Sequence, residues 1–581
     1  MANGAGKPKP AFFIAVLVVV AALIGFAVYR CKGGGDKPKD PVVTEGSDKP
    51  NGSGGSAKKP DVEATPGKVD GLTAEKYEYE PATTLPPVPG TAGYKNWDAK
   101  NRVVKFAVNT WAGWAPIVFA NGGHKPGKKW KDSKGGEFQV ELLLADDPVQ
   151  MVNAYATGEA HVGWATVDML PLIIGRLTKD PRTMPRVFQQ IDWSNGGDGI
   201  VVRKDIKEIS DLKGKTIVLA QNSPSHFFLL NMLQNGGLKP TEVTMQFTKD
   251  AFQAAQAYNS DKNITAVVSW APDIYTLTDN PASGNKLLVS TQTANKLIAD
   301  VWFARADFAR DNPEVVEGLV KGIFDAVAEL QSEGNKNTVG PMMDTFYKLP
   351  AGTGVKMLGD AHWTNWGENS DFFLVSNNPT NFQRTYETAT KLYGRAVTHD
   401  VGFDQIMDFS VIKKLANDAK YSAQKNTYEY AFTPKSGKDV NVESTIAKKP
   451  VMISFFPNSY DIWKKVPAKT GSGEVYYDGS IEYTIEDIAK TAGQYGAARI
   501  VIEGHTDASM KGTADPALVK ELSENRAKSV KEGLLKRFPK LDPNQLTATG
   551  FGWEKPADPA DPGNSAKNRR VEVRVVPAEA Q

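Results

Sequence analysis

Two charged side chains near the C-terminus of this 581-residue chain stand where they could do chemistry. Asp507 follows the apolar run ARIVIEGHT, which reads as a strand. Arg526 lies in LSENRAKSV, inside the helical pattern of residues 517–538. Arg526 comes one turn after Leu522 and one turn before Val530, so a cation sits on an apolar stripe and needs a partner or a ligand. A carboxylate that accepts from an ammonium, beside a guanidinium that offers a planar fork to a carboxylate, would together hold the end of an amino acid. The same two side chains could instead close an internal salt bridge. Other reactive sets are missing. The six histidines (His124, His161, His226, His362, His399, His505) form no HxH or HExxH pair, so no zinc site is expected. Cys31 is the single cysteine, which excludes an intrachain disulfide and a Cys-rich metal motif. No nucleophile–base pair is visible, so neither an enzyme nor a bound cofactor is expected. A net charge of +2 without a basic domain argues against nucleic acid.

The elements that must position these residues form several units, since the chain is too long for one core. VVKFAVNTW, FQVELLLA, AHVGWAT, GKTIVLA, EVTMQFT and NITAVVSW read as strands. Helical stretches alternate with them. One starts after Asp147 as cap with Pro148 at its first position, another after Ser223 with Pro224 next. Such alternation implies βαβ units and largely parallel sheets, here in two sets on either side of about Trp193. Residues 312–420 read as mostly helical. After a polar stretch the last unit runs strand (VMISFF), helix, strand, helix, strand, strand, which is a compact α/β sandwich.

At the N-terminus, Lys7 and Lys9 precede an apolar run from Ala11 to Tyr29, closed by Arg30 and Lys32. About 18–19 helical residues cross most of a ~30 Å hydrocarbon core. The length of the run and its Arg30 end favour a retained anchor over a signal peptide cut near Gly25-Phe26-Ala27. Cys31 follows Arg30 and is a poor acylation site. Residues 32–95, rich in Gly, Pro, Lys, Asp and Ser, read as a disordered tether. Its r.m.s. reach is about 40–45 Å.

GHTD at 504–507, LSENRAKSV at 522–530, GFGWEKP at 550–556 and NRRVEV at 568–573 resemble, in order, the motifs of the OmpA/MotB-like family. The resemblance covers nearly all of 451–577. It implies non-covalent binding of peptidoglycan, with Asp507 and Arg526 holding the diaminopimelate of a stem peptide. Thr506, Asn458, Ser523, Arg569 and Arg570 are implied to line or brace the pocket. Two features depart from the family pattern. The segment Ala508–Leu522 is longer than usual, and Val519 stands where Asn is common, so the loop over the pocket is atypical.

The middle of the chain resembles the periplasmic solute-binding proteins of ABC importers, in particular the nitrate/sulfonate/taurine group. The residues that carry this are NTWAGWAP (109–116), NAYATGEAHVGWAT (153–166), GDGIVVRKDIKEISDLKGKTIVLAQNSPSHFFL (197–229), AVVSWAPD (266–273) and DVWFARADFARDNPEVVEGLV (300–320). The fold so implied has two lobes that close on a small ligand at the carboxyl ends of the strands. Trp111, Trp114, Ser194, Asn195, Ser223, Ser225, Trp270 and Asp273 are the implied wall residues. His226 and Asp168 read as structural. No arginine is clearly placed for a bidentate anion clamp, Arg203 and Arg305 being no more than candidates, and nitrate, sulfonate, phosphate and an uncharged heterocycle all stay open. An enzymatic branch of the fold depends on a Cys-rich motif that Cys31 alone cannot supply.

The expected protein is therefore α/β. It has an N-terminal stub and anchor helix (1–31), the tether (32–95), a two-lobed periplasmic-binding-protein-like domain (96–420), a linker (421–449) and an OmpA-like sandwich (450–578). It would be a single-pass protein of the bacterial inner membrane with its bulk in the periplasm. Its expected partners are peptidoglycan, a small solute and the membrane, with ABC permease or sensor subunits beyond these. The rival reading is an envelope scaffold whose middle domain binds a protein or nothing.

Overall fold

A computed structural model describes residues 61–63, 85–399, 401–443, 445–468 and 472–578. The expected anchor, Cys31 and most of the tether lie outside these residues. Among the described residues no helix is long and apolar enough to cross a membrane.

Short β-branched runs build the first lobe. Its sheet runs Ala361–Trp363, Pro185–Ser194, Ala299–Arg305, Val162–Thr166, Val103–Val108, Glu137–Leu144, Trp130–Lys131. Val103–Val108 pairs in parallel with both Glu137–Leu144 and Val162–Thr166, and every residue of the latter is buried. That is the burial of a strand covered on both faces. Asp147 caps the helix Pro148–Ala156 as the sequence predicts, accepting from the Val149 amide at 2.8 Å. The second lobe is a sheet in the order Asn285–Ser290, Asp198–Arg203, Ala266–Trp270, Thr216–Ala220, Thr244–Thr248. Two chain crossings join the lobes, one between Pro185–Ser194 and Asp198–Arg203, the other between Asn285–Ser290 and Ala299–Arg305.

The last unit is a four-stranded sheet in the order Ala447–Val451, Arg570–Pro577, Ala498–His505, Leu546–Gly550. The helices Ile481–Gln494 and Pro516–Arg537 belong to it. Its first strand thus begins before Val451, and most of VMISFF is irregular. The long helix lies directly on the strands. A Cβ at Gly504 would fall 2.0 Å from the Ser523 carbonyl oxygen, and one at Gly550 2.4 Å from the Glu524 nitrogen. Only glycine permits this approach.

Two expected spacers are partly packed structure. Within the stretch read as a tether, Tyr94 meets Phe308 edge-on at 5.5 Å, and the Ala92 carbonyl accepts from Arg305 at 2.5 Å. Within the linker, the Tyr428 ring stacks on His362 at 3.8 Å. The C-terminal unit also shares a core with the two-lobed domain. Tyr495 packs in one cluster with Met232 and Leu233, and its hydroxyl lies 2.9 Å from the Met232 sulfur. Lys540 pairs with Asp371 at 3.1 Å, and Arg384 with Glu486.

Candidate functional site

The C-terminal pocket is built around Arg526, whose side chain is 1% exposed. Its guanidinium lies over the Phe455 ring at 4.6 Å, and Nε donates to the Ser459 carbonyl at 3.0 Å. The two terminal nitrogens donate to the two carboxylate oxygens of one acid at 2.5 and 2.8 Å. That acid is Glu63, from the stretch read as a tether. Arg526 and Asp507 therefore do not close the salt bridge that their types allow. Asp507 pairs with Arg569 instead and accepts from the Ser509 amide at 2.8 Å. Burial alone would raise the Asp507 carboxyl, but hydrogen bonds from Ser509 and Arg569, with the charge of Arg569, outweigh it and hold the group below its ordinary range. Arg569 also lies 3.4 Å from Glu63.

Asn458 closes the pocket from a left-handed backbone, at φ 56°. Its Oδ1 accepts from the Val62 and Glu63 amides at 2.8 and 3.0 Å, while its own amide donates to Glu63 at 3.1 Å. Two candidates brace the pocket wall. Ser523 Oγ donates to the Lys520 carbonyl and accepts from the Gly552 amide, and the Thr506 amide bonds the Gly552 carbonyl. Arg570 faces elsewhere, bonded to Glu572 and to the Lys555 carbonyl. Glu503, His505 and Glu572 are near enough to hold a metal ion. Arg570, Arg574 and Lys448 already neutralise the two carboxylates, at 2.7, 2.7 and 2.9 Å, so the trio is an internal ion network.

Between the lobes the wall candidates fall into three groups. The first group lines the crossover. Trp111 donates from Nε1 to Asp192 at 3.0 Å, and its ring lies against Gly197, where a Cβ would come within 2.3 Å of it. Ser194 Oγ donates to Asp198 at 2.7 Å. Asn195 bonds the Tyr428 hydroxyl at 2.9 Å. The second group offers buried polar atoms without a partner: Trp270 Nε1, Ser225 Oγ and one Asp273 oxygen. The third group packs. Trp114 is fully buried, bonded to Asn109 at 2.7 Å. Ser223 stands at the helix start but caps nothing, because its Oγ donates back to the Ala220 carbonyl at 2.8 Å.

Neither anion-clamp candidate faces the seam. Arg203 lies over the Tyr258 ring at 3.8 Å, and Arg305 is fully buried against Asp307. What the seam contains is carboxylate. Asp192 and Asp300 share a hydrogen bond and are both raised, by burial first. Asp168, read from sequence as structural, and Asp198 are pushed up to about 7, again chiefly by burial. Asp360 is also raised to about 7, by burial and then by the charge of Asp198. Asp273 rises to about 6 through burial and Asp250. The charged groups acting on these six are other carboxylates. The cations Arg176 and Lys249 lie further along, beside a cavity of about 350 Å³ that Asp147, Gln221, Asn222 and Thr248 also line. Contacts between the lobes hold them together: the Tyr275 hydroxyl donates to Asp360, and Lys356 pairs with Asp279 at 2.9 Å.

Sequence reasoning missed Asp192, Asp300 and Asp360 as site residues, though each stands singly between apolar or small neighbours, as Asp300 does between Ala299 and Val301. It also missed Glu63, whose one signal is Val62, an isolated branched residue in a polar stretch.

Comparison with known proteins matches a segment at each site to a family model. Residues 471–570 match the OmpA family, and residues 137–333 match the family described as NMT1/THI5 like. The taurine-binding periplasmic protein of Escherichia coli (strain K12) is 29% identical over 190 residues, which is 32% of this chain and 56% of that protein. The chain thus spans about half the length of this curated relative. The periplasmic aliphatic sulphonate binding protein of Escherichia coli is 18% identical in structure-based comparison, over 52% of this chain and 97% of that one, with a TM-score of 0.41. The periplasmic nitrate-binding protein of Synechocystis PCC 6803 is 14% identical over 55% of this chain and 90% of that one, with a TM-score of 0.40. Two families therefore meet in one chain, an NMT1/THI5-like domain followed by an OmpA domain, which is the fusion its motifs imply.

Proposed function

We propose that this is a cell-envelope protein, tethered to the inner membrane, that grips peptidoglycan through its C-terminal domain and a small solute between its two lobes. The observation that carries the first half is the Arg526 pocket. A guanidinium with a 1%-exposed side chain sits beside a second cation, Arg569, and takes a carboxylate in bidentate geometry. A stem peptide carries such a carboxylate. Co-sedimentation of the full chain with purified sacculi tests it. Arg526→Ala and Asp507→Ala should each abolish retention, and retention at the wild-type level would remove the assigned site.

The seam between the lobes favours a solute with a cationic centre over the simple anions that the sequence leaves open beside an uncharged heterocycle. Six acid groups with no opposed cation among the described residues offer an anion no partner, and a bound ammonium would favour their ionised form. Arg176 and Lys249 at the cavity leave room for an anionic group on the same solute. Such a protein would serve ABC-type uptake or sensing, and no step of covalent chemistry is assigned to it. Thermal shift of the full chain against amines, zwitterions, sulfonates, nitrate and phosphate separates these classes.

One observation favours the scaffold reading: Tyr275–Asp360 and Lys356–Asp279 are contacts between the chain's own side chains that hold the lobes together. A flat panel would support that reading.

A further inference from the structure

Glu63 raises a question that the peptidoglycan reading does not answer, because the carboxylate seat of the pocket is already filled from within the chain. Val62 and Glu63 are 8% and 2% exposed, a burial usual for core residues. Their backbone is held as a bound peptide would be. Asn458 accepts from two consecutive amides and also donates to Asp61 at 3.1 Å. The Glu63 carboxylate lies between Arg526 and Arg569. Without it the pocket would hold two guanidinium groups against the single charge of Asp507, a buried net cation that calls for an anion.

The side chain of Val62 identifies the seat as a feature of this chain. It packs in a small cluster with Val519 and Leu522, flanked by Ala514, Leu518 and Trp553. Four of these five stand in or at the end of the lengthened 508–522 segment. Val519 is also the residue found where asparagine is common in the resembled family. The two departures from the family pattern are therefore the features that give Val62 an apolar seat.

We propose that residues 61–63 are an intramolecular plug, an acidic peptide that occupies the stem-peptide seat and must leave before peptidoglycan binds. The proposal rests on the reading of the pocket given above. Because the plug is tethered, it competes at an effective concentration on the order of millimolar. A site open only a tenth of the time binds its ligand about tenfold more weakly than a site always open.

The test uses the full chain and purified sacculi, with Glu63→Gln, Arg526→Ala and the double variant. Glu63→Gln removes the charge from a segment outside every sheet and leaves the pocket intact. The expected result is sacculus binding about tenfold tighter than wild type, and none for either variant carrying Arg526→Ala. A synthetic peptide of residues 58–66 should compete with sacculi for Glu63→Gln. If Glu63→Gln binds no tighter than wild type while Arg526→Ala still abolishes retention, the plug is refuted and the peptidoglycan reading stands. If neither wild type nor Glu63→Gln is retained, both fall.

Discussion

Replacing Asp198 by asparagine should change how stability depends on pH, with a size that the structure sets. Asp198 is fully enclosed at the crossover, where it accepts from Ser194, and burial lifts its carboxyl from 3.8 to about 7. The folded state therefore holds a proton that the unfolded chain has released. Where the folded state binds more protons, stability falls as pH rises. The loss from this group starts near pH 4 and is complete a little above pH 7. At about 1.4 kcal/mol per pH unit, Asp198 alone removes about 3 kcal/mol between pH 5 and pH 8. Asparagine keeps an oxygen to accept from Ser194 and has no proton to lose. It also withdraws the charge that helps raise Asp168, Asp192, Asp300 and Asp360.

Urea unfolding followed by tryptophan fluorescence, at pH 5 and pH 8, reads this directly. Groups that do not feel Asp198 cancel in the comparison, and the four carboxyls that its charge raises add to the difference in the same direction. The wild-type chain should lose about 3 kcal/mol more than Asp198→Asn on going from pH 5 to pH 8, and the variant should be the more stable at pH 8. Equal losses in the two proteins, within about 0.5 kcal/mol, would show that Asp198 is not a buried, proton-holding group, and the charge reading of the seam would fail with it.

Two other outcomes follow from the packing and the charges. A Cβ at Gly504 meets the Ser523 backbone at 2.0 Å, where no flexible side chain can give way. Gly504→Ala should cost the C-terminal domain about 1–3 kcal/mol and shift the helix that carries Arg526, read as a lower unfolding midpoint and weaker sacculus retention. If a cationic solute displaces the protons held at Asp168, Asp198 and Asp360, its affinity should rise about tenfold in all for each proton released, as pH goes from 6 to 8. Isothermal titration at several pH values measures this, and an affinity that falls with pH would exclude the cation.

The parts legible in the sequence were those with local periodicity or an ordered motif. The strand Val162–Thr166, the Asp147 cap and the helix carrying Arg526 all lie where the residues place them. The crossing strand Pro185–Ser194 escaped notice because Gln189, Gln190 and Asp192 give it a polar look, though all three are fully buried. Their partners are distant in sequence: Trp302 donates to Gln189, and Trp111 to Asp192. The folded part of the linker depends on the Tyr428–His362 stack, which leaves no periodic trace. Glu63 meets Arg526 across 463 positions, a pairing that no window along the chain can show.

The packing of the C-terminal domain bears on how the lobes can move. Tyr495 holds it to Met232, on the helix Pro224–Asn235 of the second lobe. Lys540 holds it to Asp371, on the helix Trp366–Leu374 that packs against the first-lobe strand Pro185–Ser194. Arg384 and Glu486 add an ion pair between the helices Phe382–Tyr393 and Ile481–Gln494. A domain fixed to both lobes resists a hinge between them, so opening must loosen one of these contacts. Arg384→Ala removes a partly exposed ion pair and should lower stability by no more than about 1 kcal/mol. If the docking restrains the hinge, the same variant should raise amide exchange both in Ile481–Gln494 and along the interlobe seam. Exchange that rises in the helix alone would mean that the lobes open without regard to the domain that ties them.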